Sequence, residues 1–168
     1  SGGLAHLGNM LRQRNLHGPL ALVTDENVAH YHLTAAQTAL EQAGFAVQPV
    51  INPAGEAHKT ITTVQLLWRA FLEMSLERGS TVVALGGGVV GDLAGFAAAV
   101  YQRGVPWVAV PTSLLAMVDA SLGGKTGADL PEGKNLVGAF HSPSFVLADP
   151  QLLATLPEVE QRNGMAEV

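Results

Sequence analysis

"VVALGGGVVGDLAGF", residues 82–96, decides the fold of this chain. An apolar run ends in three consecutive glycines, and a small-residue pattern of helical spacing starts behind them. A strand that enters a helix through bare glycines is the core of a βα unit. Without a Cβ the backbone turns tightly, and a ligand can approach it closely. Gly86, Gly88 and Gly91 have the spacing G-x-G-x-x-G, which sets a pyrophosphate against the free N–H groups and positive dipole end of a helix. A close-packed corner with no ligand has the same spacing. The acidic residue that usually holds a ribose, about twenty positions further on, is missing, because the next strand ends "VAVPTS".

Outward from this turn, strands and helices alternate. "LALVTD" (20–25) is a first strand. Thr34 and Gln37 stand at capping-box spacing before a helix that Gly44 stops. "FAVQPVI" (45–51) is a second strand, which Pro49 assigns to an edge or bulge. Beyond the polar loop "NPAGEAHKT", Val64, Leu67, Trp68, Phe71 and Leu72 recur at helical spacing, and Gly79 closes that helix. "TVVAL" (81–85) is the third strand, followed by a helix over 91–103. "PWVAV" (106–110) is the fourth, followed by the short helix "SLLAMVDAS". A glycine-rich loop from Gly123 to about Pro143 precedes a fifth strand, "SFVLAD", and the chain from Gln151 reads as helical. Near-continuous apolar strands alternating with helices predict an α/β fold, Rossmann-like and doubly wound on a mostly parallel sheet.

Composition bounds the function. The 168 residues are 48 % hydrophobic and 14 % charged, enough for one domain with a sizeable core. A net charge of −5 with no basic cluster argues against nucleic-acid and anionic-membrane partners. The absence of cysteine excludes disulfides and thiolate metal sites. With no signal-peptide pattern and no apolar run of membrane-spanning length, the expected location is cytoplasmic. The opening Ser-Gly-Gly and the uncapped helical ending "EVEQRNGMAEV" are expected of a processed or excised piece with a further domain behind it.

Two further features bear on chemistry. "GGKT" (123–126) has the look of a Walker A ending, but that motif needs glycine where Asp119 stands and a preceding strand rather than a helix. Lys125 and Lys134 lie in the loop with Gly123, Gly124, Gly127, Gly133 and Gly138, either as a solvated basic segment or as a clamp for a multiply charged anion. His30 and His32 have chelate-like spacing without a carboxylate–histidine pattern nearby, and are expected to face solvent.

In order and spacing, "VTDENV", "AGEAHK", "GGGVVGDLAGFAAA", "VPTSLLAMVDASLGGKTG", "GKNLVGAFHSP" and "LATLP…GMAEV" closely resemble the 3-dehydroquinate synthase family over essentially the whole chain. The block from Asp119 to Asn135 is more specific than the glycines. The resemblance implies that residues 1–156 are an NAD-binding α/β domain. It also implies that 157–168 begin a helical C-terminal domain for metal and substrate. The implied reaction converts a small sugar phosphate, 3-deoxy-D-arabino-heptulosonate 7-phosphate, to 3-dehydroquinate and phosphate in the shikimate pathway. NAD⁺ oxidises a hydroxyl and is regenerated, and Zn²⁺ or Co²⁺ polarises that oxygen. A homodimer is implied as well.

Residue by residue, the resemblance implies that Asp25 and Asn27 contact the adenosine part. Glu56 and Lys59 would hold its ribose, supplying the acid that the ordinary fingerprint lacks. Gly88, Val89, Val90 and Gly91 would take the pyrophosphate, and Asp92 the nicotinamide carboxamide. Thr112 and Ser113 would line the cofactor with Leu152, Leu153, Ala154 and Thr155. Asp119, Lys125 and Asn135 would bind substrate, with Lys125 and Lys134 between substrate and cofactor, and Glu167 would be a metal ligand. Each has a plainer alternative: Asp92 as a helix cap, Asp25 and Asn27 as turn formers, Glu56 with Lys59 as a surface pair, Glu167 as a solvated group. Two positions depart from the family pattern. Ser113 stands where threonine is common and keeps the hydroxyl, whereas Val159 stands where arginine is common and forfeits an ion pair. Two other readings share these features: cyclases making 2-deoxy-scyllo-inosose or valiolone rings, and a dinucleotide-binding module without catalysis.

Overall fold

The structure, a computed structural model, describes residues 2–166. Helix α1 (Leu7–Gln13) leads into β1 (His17–Asp25). A long helical segment follows as α2 (Glu26–Val28), a π-turn (Ala29–Leu33) and α3 (Thr34–Gln42). Then come β2 (Val47–Asn52), α4 (Ile61–Glu73), β3 (Ser80–Gly86), α5 (Gly88–Val100) and β4 (Trp107–Pro111). A short π-helical turn (Ala116–Ala120) precedes a hairpin of β5 (Lys125–Leu130) and β6 (Gly133–Phe140). A 3₁₀ turn (Pro150–Thr155) and α6 (Glu158–Met165) complete the described residues.

The main sheet is parallel throughout, in the order β2-β1-β3-β4. Strand β3 is buried along its whole length, and its side chains alternate between two cores. Val82 and Ala84 face α4 and α5 through Leu67, Phe71, Leu93 and Ala97. Val83 and Leu85 face α1 and α3 through Leu7, Leu11 and Leu40. Burial on both faces is why this strand reads as an unbroken apolar run. Strand β2 is the edge that Pro49 predicts, since proline has no N–H to give a further neighbour. No helix among the described residues is long and apolar enough to cross a membrane.

Several local expectations are corrected. The capping box at Thr34 is absent. Thr34 has helical dihedrals (φ −60°, ψ −42°), and the helical segment begins nine residues earlier, where Asp25 Oδ1 accepts from Val28 N at 2.9 Å. Helix α4 ends at Glu73 and is closed by Ser75 rather than Gly79: Ser75 is left-handed (φ 56°) and Leu76 N bonds back to Phe71 O. Within α4, Leu72 faces solvent. Helix α5 starts at Gly88, not at residue 91, so the glycines form its first turn. The fifth strand reduces to a parallel bridge, Ala109 to Val146, on the outer side of β4. The glycine-rich loop is an antiparallel hairpin, not a loop. Its two backbones cross so closely that a Cβ on Gly138 would lie 2.0 Å from Thr126 O.

Candidate functional site

In sequence the chain goes from β1 to β2 on one side and then to β3 on the other, so the direction of winding reverses between β1 and β3. The helices leaving neighbouring strands there depart to opposite faces and open a crevice at the carboxyl ends, the usual ligand position in such sheets. The two strands deliver Asp25 from β1 and the glycine turn from β3 to that crevice. Gly87 is the N-cap of α5, and Gly88, Val89 and Val90 follow it. Their N–H groups precede any intrahelical carbonyl that they could meet. A Cβ built on Gly91 would find no atom within 4 Å, so the first turn presents bare backbone to open space at that position. Val90, by contrast, sends its side chain into the core. Thr24 Oγ1 and Asn52 Nδ2, near the carboxyl ends of β1 and β2, are buried without a hydrogen-bond partner. A glycine cradle, a helix N-terminus and unpartnered polar atoms at the strand ends fit an anionic dinucleotide.

Beside this turn lies a cleft of about 510 Å³. Lys59, Asp92, Asp119, Lys125 and Asn135 all line it, although they come from four separate segments. Lys59 Nζ is 2.6 Å from Asp92 Oδ2 and donates to Asn135 Oδ1 at 2.7 Å. The Lys59 side chain is only 6 % exposed, and a cation so buried requires partners of this kind. Burial holds the Asp92 carboxyl above its ordinary value of 3.8, against the pull of Lys59, and the charges of Glu56 and Asp129 push the same way as burial. Asp119 and Lys125 are exposed to the cleft with no ion-pair partner among the described residues.

These contacts remove two plainer alternatives. Asp92 is the fifth residue of α5 and pairs with Lys59, so it does not cap the helix. Glu56 and Lys59 are not a surface pair. Lys59 turns inward to Asp92, and Glu56 instead accepts from Lys134 Nζ at 3.1 Å on the exposed rim. Lys134 is therefore beside the cleft rather than within its lining.

The remaining site residues surround the crevice. Asp25 caps α2, with Asn27 exposed in that first turn. Thr112 is buried behind the glycines with its N–H on Gly86 O at 3.0 Å, and Ser113 Oγ accepts from Ala116 N. Leu152 belongs to the core, and Leu153 and Ala154 share the same 3₁₀ turn. Thr155 Oγ1 is 2.7 Å from His32 Nε2. His32 is thus buried rather than solvent-facing, while His30 is exposed as expected. Glu167 lies outside the described residues. No group of three His, Cys, Asp or Glu side chains suited to a metal is found among the described residues.

Asp129 and His32 escape a motif-based reading. Asp129 joins the cleft network from behind, and its only signal is its place before the turn "LPEG" (130–133). His32 is masked by a π-turn, which shifts the helical phase.

A family model described as 3-dehydroquinate synthase N-terminal matches residues 49–163. The 3-dehydroquinate synthase of Symbiobacterium thermophilum is 56 % identical over 169 residues, covering 100 % of this chain and 47 % of that protein. The chain spans about half the length of the curated relatives it matches. Among solved structures, a 2-deoxy-scyllo-inosose synthase complexed with carbaglucose-6-phosphate, NAD⁺ and Co²⁺ superposes with a TM-score of 0.87 at 31 % identity. The alignment covers 95 % of this chain and 45 % of that one. The 2-epi-5-epi-valiolone synthase of Streptomyces hygroscopicus subsp. jinggangensis, with NAD⁺ and Zn²⁺ bound, gives 0.83 at 35 % identity over 87 % of this chain and 41 % of its own.

Proposed function

The chain belongs to the 3-dehydroquinate synthase family, and on that premise we propose that it is the NAD-binding part of an enzyme converting 3-deoxy-D-arabino-heptulosonate 7-phosphate to 3-dehydroquinate and phosphate. Residues 1–156 form the dinucleotide-binding unit in this reading, and 157–168 begin the next. The observation that carries it is the convergence of Lys59, Asp92, Asp119, Lys125 and Asn135 on one cleft beside the bare first turn of α5. The other ring-forming cyclases are the more distant comparison, at 31 % and 35 % identity against 56 %.

The residues divide the work by charge. Gly88, Val89 and Val90 offer N–H donors to a pyrophosphate, which Gly91 lets approach, with Asp25, Asn27 and Glu56 towards the adenosine end and Leu152 to Thr155 along the cofactor. When bound, NAD supplies reversible removal of a hydride from a substrate hydroxyl, and the divalent cation, zinc or cobalt, supplies a Lewis acid. The Lys59 cation is neutralised by Asp92 and further satisfied by Asn135. It therefore orients neighbours more than it attracts anions. Lys125 Nζ keeps its charge for the anionic substrate, which Asp119 and Asn135 orient through its hydroxyl groups. Asp92, fixed by Lys59, presents its remaining acceptor capacity to the carboxamide of the nicotinamide.

Lys125→Ala in the full-length protein is the test. It is expected to lower kcat by about a hundredfold or more, the scale of losing a preorganised charge, while NAD⁺ affinity stays within a few-fold. Phosphate release and calorimetric NAD⁺ titration measure the two. A variant that loses NAD⁺ affinity yet turns over normally at saturating cofactor would refute the substrate role.

A further inference from the structure

We propose that Asp129, which no motif assigns, is a positioning residue for the cleft. It holds a bulge of β6 so that Asn135 meets Lys59, and the proposal rests on the reading of that cleft as the reaction site. The hairpin register requires the bulge. Ala128 pairs with Val137 and Leu130 with Gly133, so the single residue Asp129 stands opposite Lys134, Asn135 and Leu136. Extra residues on one strand re-aim side chains, a device frequent beside active sites. Here they place Asn135 in the left-handed region (φ 56°), which asparagine tolerates better than most residues but does not adopt without support.

Asp129 provides that support from both of its ends. Its Oδ1 accepts from Asn135 N at 2.7 Å, a charge-assisted bond across the bulge. Its own N–H donates to Lys59 O at 2.7 Å, and it forms the isolated bridge to Thr60. One residue thereby fixes the backbones of Lys59 and Asn135, whose side chains then bond at 2.7 Å within the cleft. Asp129 itself is absent from the cleft lining, so it acts through these two. The bond needs an acceptor, not a charge. Asparagine at this position keeps the acceptor, whereas alanine removes it.

Hydrogen–deuterium exchange over residues 131–137 of the full-length protein tests this independently of any reaction. The amides at the bulge are expected to exchange roughly tenfold faster in Asp129→Ala than in the wild type, the factor for losing one such bond, and to regain protection in Asp129→Asn. kcat/KM is expected to follow the same order, lost by about tenfold in the alanine variant and restored in the asparagine one. If Asp129→Ala fails to fold, Asp129→Leu makes the same comparison, with a side chain of similar size and no acceptor. Unchanged protection at the bulge in the alanine or leucine variant overturns the proposal, as does an asparagine variant as defective as alanine. A wild-type protein without turnover would defeat the reaction assignment, and exchange alone would then judge Asp129.

Discussion

Asp92 keeps a carboxylate partly out of water, and its neighbour decides what that costs. Burial disfavours the ionised form, Lys59 favours it, and the balance leaves the group above 3.8. Lys59→Met removes the favourable part alone. The Asp92 titration midpoint, followed by carboxyl ¹³C NMR, is then expected to move further up. A group whose folded value exceeds its unfolded value contributes stability that is full below the unfolded value and is lost as pH rises through the folded one. Lys59→Met should therefore become less stable than the wild type as pH climbs through the new midpoint, and an unmoved midpoint would show that the pair is not coupled. At this scale the sequence named the participants but not the pairing. Lys59, Asp92 and Asn135 stand 33 and 43 positions apart in the chain, and nothing local indicates that Glu56 would choose Lys134 over its neighbour Lys59.

Elements show a different division. Strands β1, β3 and β4 were legible because burial on both faces leaves continuous apolar runs, and β2 because proline marks an edge. The hairpin was not legible. Its glycines are there for the close approach of two backbones, and in a one-dimensional reading they look like the flexibility of a loop. The π-turn at Ala29–Leu33 likewise rotates His32 inward to Thr155, tying the segment after β1 to the 3₁₀ turn at Pro150–Thr155. Burial lowers the His32 pKa below 6.5, with the Leu152 carbonyl opposing. Here the sign is reversed: stability is full above 6.5 and is lost as pH falls through the folded value. Thermal melts are expected to show a melting temperature that declines from pH 7.5 to 5, with a shallower decline in His32→Gln. Equal slopes in the two proteins would mean that His32 takes no part.

For the molecule as a whole, the question is how much chemistry 168 residues hold. They bring together a cradle and a charged cleft, and they span about half of each curated relative. A catalytic zinc takes about three protein ligands, and the described residues assemble no such group. The isolated chain is therefore expected to bind NAD⁺ but to release no phosphate from the heptulosonate phosphate with NAD⁺ and zinc present. Steady release proportional to chain concentration would contradict this division.

The hairpin has a consequence for how such a protein can change. Asp119, Lys125, Lys134 and Asn135 all fall within residues 119–135, whereas the glycine turn and Asp25 are carried by the sheet. In the proposed reading, the residues of this chain that meet the substrate thus sit largely on one contiguous cassette, clamped to the scaffold where Gly95 lets Thr126 and Trp107 lie against α5. On that reading, exchanging the cassette is expected to alter what is processed while the glycine turn and Asp25 keep their places, a modular route to new ring-forming specificities that a site scattered over the strands would not permit.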